Sequence, residues 1–157
     1  MRVSRRRFLA GSALFACAGG GLGYMRWWEP RRLVISHIEV PISSRELRGR
    51  VRILHLSDLH ASSVVPHKLL AHAVDLGLRL EPDLVCLTGD YVTGRLTESQ
   101  RYARLLGRLA EAAPTYASFG NHDGGSWVGP RGGSPDLGPV RALLESAGAV
   151  LRATRTR

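Results

Sequence analysis

Six polar residues that can bind metals or transfer protons occur in three groups, each directly after a short apolar stretch. The groups are Asp58 with His60, Asp90 alone, and Asn121 with His122 and Asp123. Asp90 lies 32 positions after Asp58 and 31 positions before Asn121, about one strand–helix unit in each direction. Because the carboxyl ends of parallel strands meet at one edge of a sheet, this spacing predicts that the three groups converge.

The residue types suit a site that holds two divalent metal ions. Carboxylate and amide oxygens and imidazole nitrogens are ligands for Mn, Fe, Zn and similar ions. Asp58 and His60 could share one ion from a single loop, and the two oxygens of Asp90 could bridge to a second ion. Two such ions activate water and stabilise both oxygens in a phosphoryl displacement. His122, beside the candidate ligand Asn121, is then free to protonate the leaving oxygen.

Each group taken alone has a simpler interpretation. Asp58-Leu59-His60 is a common loop sequence, and Gly89-Asp90 is an ordinary turn signal. The group after Gly120 is more specific, because a turn has no need of a histidine such as His122. The order of the three groups and their even spacing favour a metal site over three unrelated turns.

The stretches between the groups alternate between strand and helix patterns. Strands are predicted at 33–42, 51–56, 84–87, 116–119 and 150–151, and helices at 66–80, 97–113 and 140–147. The alternation predicts an α/β domain with largely parallel strands in the order βαβαβ. Apolar residues alternate with period two in the first predicted strand, and Pro41 places that strand at a sheet edge or at its own end.

Three motifs resemble the first three motifs of the calcineurin-like metallophosphoesterases. They are His55-Leu56-Ser57-Asp58-Leu59-His60, Leu87-Thr88-Gly89-Asp90 and Gly120-Asn121-His122-Asp123, within a domain predicted at 33–151. The resemblance implies the N-terminal half of the family's α/β sandwich. It also implies a hydrolase that cleaves phosphodiester or pyrophosphate bonds with water activated by two metal ions. Asp58 and His60 are then expected to bind the first ion, and Asp90 is expected to bridge both.

The same resemblance assigns roles to the third group. Asn121 is expected to bind the second ion, His122 matches the catalytic histidine, and Asp123 stands where a carboxylate would orient that histidine. The chain is also similar to a bacterial membrane-associated branch related to UDP-2,3-diacylglucosamine pyrophosphatases. A phosphate ester is therefore the expected substrate, and the branch suggests a lipid-linked one of the kind used in lipid A biosynthesis.

The sequence departs from the family pattern after His122. The family completes both metal sites with an isolated histidine and a Gly-His-x-His motif, and no histidine follows His122 here. We therefore expect a domain shortened by truncation or a reading-frame error, with residues 152–157 as a basic tail and this chain itself inactive. The alternative is a non-catalytic remnant that lacks the C-terminal metal ligands.

Residues 1–32 have the pattern of an export signal that could also anchor the chain in a membrane. Arg5-Arg6-Arg7 precedes Phe8-Leu9, and residues 8–25 carry no charge. This layout resembles a twin-arginine signal, which is read by its receptor. The expected partners are the twin-arginine machinery and the membrane surface, and the expected location is periplasmic or otherwise extracytoplasmic. An uncleaved anchor remains open, although five glycines make these 18 residues a poor membrane span.

The basic charge of the chain lies at its two ends. Of the formal net charge of +9, residues 1–32 contribute +6 and residues 152–157 contribute +3. Residues 33–151 contain twelve basic and twelve acidic residues and are neutral. A neutral domain gives no electrostatic reason to expect a nucleic-acid partner.

The export hypothesis predicts the behaviour of a charge-conserving variant. Changing Arg5 and Arg6 together to lysine should leave the protein in the cytoplasm, because the receptor recognises the paired guanidinium groups. Cell fractionation with an antibody to the domain measures the distribution. A matched Arg31→Lys/Arg32→Lys variant should be exported normally. Normal export of the Arg5/Arg6 variant would show that another route or a simple anchor is used.

Overall fold

The computed structural model describes residues 20, 21, 24, 32–43, 49–94, 96–124 and 136–152. The chain divides into two compact units, Met1–Ile42 and Ser43–Arg157. Most of the predicted leader at 1–32 and nearly all of the predicted tail at 152–157 lie outside the described residues. Within the described part, no helix is both long and apolar enough to cross a membrane.

The second unit alternates strands and helices along the chain. Its elements are β1 (Ile53–Leu56), α1 (His67–Leu78), β2 (Leu84–Thr88), α2 (Ser99–Ala112), β3 (Thr115–Ser118), α3 (Gly138–Ser146) and β4 (Val150–Leu151). The strands form one parallel sheet in the order β1-β2-β3-β4. The predicted α/β class with parallel strands is confirmed, and each element differs from its predicted bounds by only a few residues.

The three helices pack in succession, α1 against α2 and α2 against α3. Sequential parallel strands joined by crossovers of one hand carry their helices on one face of the sheet. Val85, Leu87 and Ala117 point to that face and are buried, as are the predicted α2 residues Leu106 and Leu109. The core therefore lies between the sheet and a single layer of helices.

The opposite face of the sheet is less covered. Ile53 in β1 is 56% exposed and Val150 in β4 is 50% exposed, whereas the next residues along these strands, Leu54 and Leu151, are partly buried against the core. His55 on this face is exposed, and its Nε2 makes a 2.6 Å hydrogen bond with Thr88 Oγ1. In the described part of the chain, this face of the sheet is thus less well covered at its edge strands than the helix face.

The prediction of a strand at 33–42 is wrong. The structure assigns no strand or helix to residues 33–42, and all of them are exposed, with Ile38 at 83%. Alternating apolar residues supply a face but not the hydrogen-bonding partner that a strand requires. The strand pairings of the described residues are those among β1–β4 and the bridge between Ala61 and Val92. Helix α2 begins at Ser99, two residues after its predicted start, and Glu98 precedes it without a side-chain cap.

Candidate metal centre

The loops after β1 and β2 run side by side and bond through their backbones. Asp58 N–H donates to Gly89 O at 3.2 Å, and His60 N–H donates to Asp90 O at 2.8 Å. Ala61 N–H donates to the next carbonyl at 2.9 Å. These bonds extend the β1–β2 pairing beyond the strands and place the first two predicted ligand groups next to each other.

Three of the candidate ligands have a left-handed backbone. The φ angles are 54° at Asp58, 42° at His60 and 54° at Asp90. Residues with a β-carbon rarely adopt this region, and its cost is offset only when the surroundings fix the conformation. Here the loop-to-loop hydrogen bonds fix it, so side chains that would alternate along an extended strand turn toward a common point.

The side chains of the first two groups meet at that point. His60 Nε2 lies 3.8 Å from Asp58 Oδ1 and 3.9 Å from Asp90 Oδ2. The ring of His122 packs edge-on against that of His60, with centroids 5.0 Å apart. One ligand atom from each of His60, Asp90 and His122 lies within 4.8 Å of the others. Oxygen and imidazole donors at these separations fit a divalent ion.

Asp90 joins all three loops. Its Oδ2 faces His60, and its Oδ1 accepts a 2.8 Å hydrogen bond from His122 N–H on the loop after β3. A carboxylate oxygen has two lone-pair directions, so Oδ1 keeps one for a further partner. The side chain is nearly buried and central, which is the position that the predicted bridging role requires.

The environment of His122 differs from that predicted. Its Nδ1 is buried and has no hydrogen-bond partner within the described chain. The expected contact with Asp123 is not formed, because the Asp123 carboxylate bonds elsewhere. A buried imidazole nitrogen without a hydrogen-bond partner is uncommon in a folded protein, and a bound ion or water is one explanation for it.

Asp123 instead clamps two loops together, which corrects its predicted orienting role. Its Oδ2 accepts hydrogen bonds from Asp90 N–H and Gly120 N–H at 2.8 Å each, and Oδ1 accepts one from Tyr91 N–H at 2.7 Å. The side chain is fully buried. Burial raises the pKa of Asp123, and the three backbone donors oppose that rise. A buried carboxylate needs such donors, and the two loop backbones are the groups that supply them.

Two glycines allow the β2 and β3 loops to approach this closely. A β-carbon on Gly89 would overlap the backbone of Gly120, and Gly89 has a φ of 81°. A β-carbon on Gly120 would overlap the backbone nitrogen and Oδ1 of Asp90. Both glycines were visible in the sequence as turn signals, but their packing role depends on contacts between loops that a single sequence does not show.

The remaining predicted ligand, Asn121, lies on the loop after β3 and is exposed. Nearby, the Ser57 hydroxyl donates to Asp58 Oδ2 and lies 3.3 Å from Thr88 O. Ser57 therefore holds the oxygen of Asp58 that does not face His60. The structure brings Asp58, His60 and Asp90 together with His122, and the described contacts of this group do not include Asn121.

Comparison with known proteins identifies the family. Residues 51–149 match the calcineurin-like phosphoesterases, and this range contains all three motifs and the strands β1, β2 and β3. The chain belongs to the calcineurin-like phosphoesterase family. Membership implies divalent metal ions and a phosphate-ester substrate, which agrees with the donor set around His60.

Similar curated proteins come from several bacteria. The chain is 38% identical over 122 residues to phosphodiesterase YaeI of Escherichia coli, covering 77% of this chain and 45% of that protein. It is 31% identical over 135 residues to the uncharacterized metallophosphoesterase YkuE of Bacillus subtilis, covering 80% and 47%. It is 27% identical over 132 residues to the UDP-2,3-diacylglucosamine pyrophosphatase LpxG of Chlamydia muridarum, covering 82% and 38%. The chain spans less than half the length of each.

Because the two loops approach each other closely, adding a single methyl group at Gly120 should reduce the stability of the fold. Gly120→Ala should lower the free energy of unfolding by about 1–3 kcal/mol, because its β-carbon would overlap Asp90. Urea denaturation measures the change. Gly107→Ala is the matched control, since the nearest atom to its β-carbon is 3.7 Å away and alanine favours a helix by roughly 0.5–1 kcal/mol. Equal stability of Gly120→Ala and the parent chain would contradict the packing described.

Asp123 could join the two loops or orient His122, and these two roles predict different effects of a substitution. Asp123→Asn should lower the free energy of unfolding by at least about 1–3 kcal/mol, because its amide NH₂ faces backbone donors and leaves one unpaired. Divalent-metal affinity should fall with it. The control is Asp83→Asn, where an exposed side chain accepts one backbone bond at 2.7 Å. A variant that keeps parental stability and metal affinity would restore the orienting role.

Proposed function

We propose that the protein at its natural full length hydrolyses a phosphodiester or pyrophosphate bond with the aid of two divalent metal ions. The observation that carries the proposal is the meeting of three loops at Asp90, which faces His60 with one oxygen and bonds His122 N–H with the other. This arrangement gives a carboxylate that contacts both sides of one site. Family membership supplies the reaction class.

The proposed roles follow from the position of each side chain. Asp58, His60 and Asp90 would hold the first ion, and Asp90 with Asn121 would hold part of the shell of the second. When bound, the ions activate water and stabilise the negative charge of the phosphoryl group. His122 would hold a proton for the leaving oxygen, and its buried Nδ1 without a partner is compatible with a role toward substrate.

Within this class of substrates, we propose a lipid-linked diphosphate of the UDP-2,3-diacylglucosamine type. Support comes from the similarity to LpxG, whose name states that activity, and the generic phosphodiesterase YaeI supports the broader class. Parallel assays with UDP-2,3-diacylglucosamine and with bis(p-nitrophenyl) phosphate distinguish the specific lipid-linked substrate from the broader phosphodiesterase class. Cleavage of the second compound alone would retain the reaction class and reject the lipid-linked substrate.

We also propose that the protein acts outside the cytoplasm, at the membrane surface. The proposal rests on the Arg5-Arg6-Arg7-Phe8-Leu9 sequence and the uncharged residues that follow it. A lipid-linked substrate would be met at a membrane surface. The lysine variants described above test the route.

Two variants test the proposed roles against each other. In the protein at its natural full length, Asp90→Asn should abolish hydrolysis of bis(p-nitrophenyl) phosphate and lower bound metal, because one metal-binding oxygen and the negative charge are lost. His122→Ala should keep the metal content and lower kcat by roughly 10²–10⁴-fold, the usual contribution of an acid–base group. Metal content by elemental analysis and initial rates give both readouts.

Either of two results would contradict these roles. Activity of Asp90→Asn above about a tenth of the parent would remove Asp90 from the bridging position, since each tenfold loss corresponds to about 1.4 kcal/mol of transition-state stabilisation. Loss of metal from His122→Ala would make His122 a ligand instead of a proton donor. Glu111→Gln is the control variant, because Glu111 lies exposed in α2, away from the three loops.

A further inference from the structure

The two ring nitrogens of His60 face different groups. Nε2 points toward the carboxylates of Asp58 and Asp90, at 3.8 and 3.9 Å. Nδ1 lies 2.9 Å from Thr93 Oγ1, which is hydrogen-bond distance. Thr93 follows the second motif by three positions and has no place in the ligand set described above.

Backbone pairing fixes Thr93 beside His60. Ala61 and Val92 form a parallel bridge, and Thr93 N–H donates to Ala61 O at 3.3 Å. Val92 is buried, whereas Thr93 is exposed. The backbone pairing therefore fixes the position from which the Thr93 side chain extends. Its hydroxyl contacts the ring of His60.

The hydrogen bond selects the form of His60 that can bind a metal. A neutral imidazole carries one proton, and only the nitrogen without it offers a lone pair. If Nδ1–H donates to Thr93 Oγ1, then Nε2 is free and faces Asp58 and Asp90. Partners outside the ligand set that fix the tautomer and orientation of a histidine commonly alter metal affinity by 10–100-fold.

We propose that Thr93 is a positioning residue that holds His60 in the Nδ1–H tautomer with Nε2 directed into the metal centre. The inference rests on the proposed metal-dependent function, but the tautomer itself does not require a bound ion. A purely structural role predicts loss of stability instead. The exposed hydroxyl gives little reason for such a loss, since exposed substitutions usually change stability by under about 0.5 kcal/mol.

The test compares three variants of the 157-residue chain. Thr93→Val keeps the shape and removes the hydroxyl, Thr93→Ser keeps the hydroxyl, and Thr97→Val removes an exposed hydroxyl elsewhere. Long-range ¹⁵N NMR of metal-free protein at pH 8 reports the protonated nitrogen of each histidine. The signals of His60 are assigned by their absence in His60→Gln. Cobalt(II) titration, followed by visible absorption, reports metal affinity, and thermal unfolding reports stability.

The parent chain, Thr93→Ser and Thr97→Val should show the Nδ1–H tautomer at His60, and Thr93→Val should shift toward the Nε2–H tautomer. The cobalt Kd should rise about 10–100-fold in Thr93→Val and change by less than about threefold in Thr93→Ser. Thermal unfolding should be similar in all four chains.

Two results would overturn the inference. The first is an identical His60 tautomer in the parent chain and in Thr93→Val. The second is a fall in cobalt affinity that follows stability and is not restored by serine. If the tautomer depends on Thr93 but the parent chain fails to bind cobalt, metal binding by Asp58, His60 and Asp90 in this chain is contradicted, and the control of His60 by Thr93 is supported.

Discussion

The buried carboxylate of Asp123 is the contact on which the geometry of the site depends. It accepts three backbone hydrogen bonds, two from the loop after β2 and one from the loop after β3. Removing a carboxylate from water is costly, and charge-assisted bonds to backbone N–H groups offset that cost. The two bonds from Asp90 and Tyr91 exist only when the two loops lie together, so the position of Asp90 relative to His122 is tied to the burial of Asp123.

Tyr91 extends this connection into the core. Its hydroxyl lies 3.0 Å from both Leu87 O in β2 and Ser118 O in β3, and its own carbonyl accepts a bond from Tyr102 of α2. Burial raises the pKa of both tyrosines, so they remain protonated donors throughout the neutral range. The loops that carry the candidate ligands are therefore joined to the ends of two central strands and to one helix, which explains how these loops hold a precise arrangement.

Some features of the fold and site were predictable from one sequence because they depend on local patterns. Short apolar stretches between segments of helical periodicity predict β1, β2 and β3. Because the carboxyl ends of parallel strands meet at one sheet edge, Asp58, Asp90 and His122 are predicted to converge. The family resemblance derived from the three motifs is confirmed by the match over residues 51–149. These inferences need only period, order and spacing.

Other features depend on contacts that the sequence does not encode locally. Residues 33–42 have the alternation of a strand, yet a strand forms only where another strand supplies hydrogen bonds. The predicted pairing of Asp123 with His122 assumed that neighbours in sequence contact each other. A fully buried carboxylate must accept hydrogen bonds from the donors around it. Here these donors are the backbone N–H groups of residues 90, 91 and 120. The bond between Thr93 and His60 likewise joins two loops that are 33 positions apart.

We propose that Asp90 is the central ligand of a metal centre formed by three loops and that the hydrogen bonds of Asp123 fix its backbone. An anomalous-difference map at the zinc edge, from crystals of the protein grown with Zn²⁺, tests this most directly. We expect a peak about 2.0–2.2 Å from His60 Nε2 and from a carboxylate oxygen of Asp90, with Asp123 still bonded to backbone N–H groups. A zinc ion bound by Asp123, or one that makes no contact with Asp90, would contradict it.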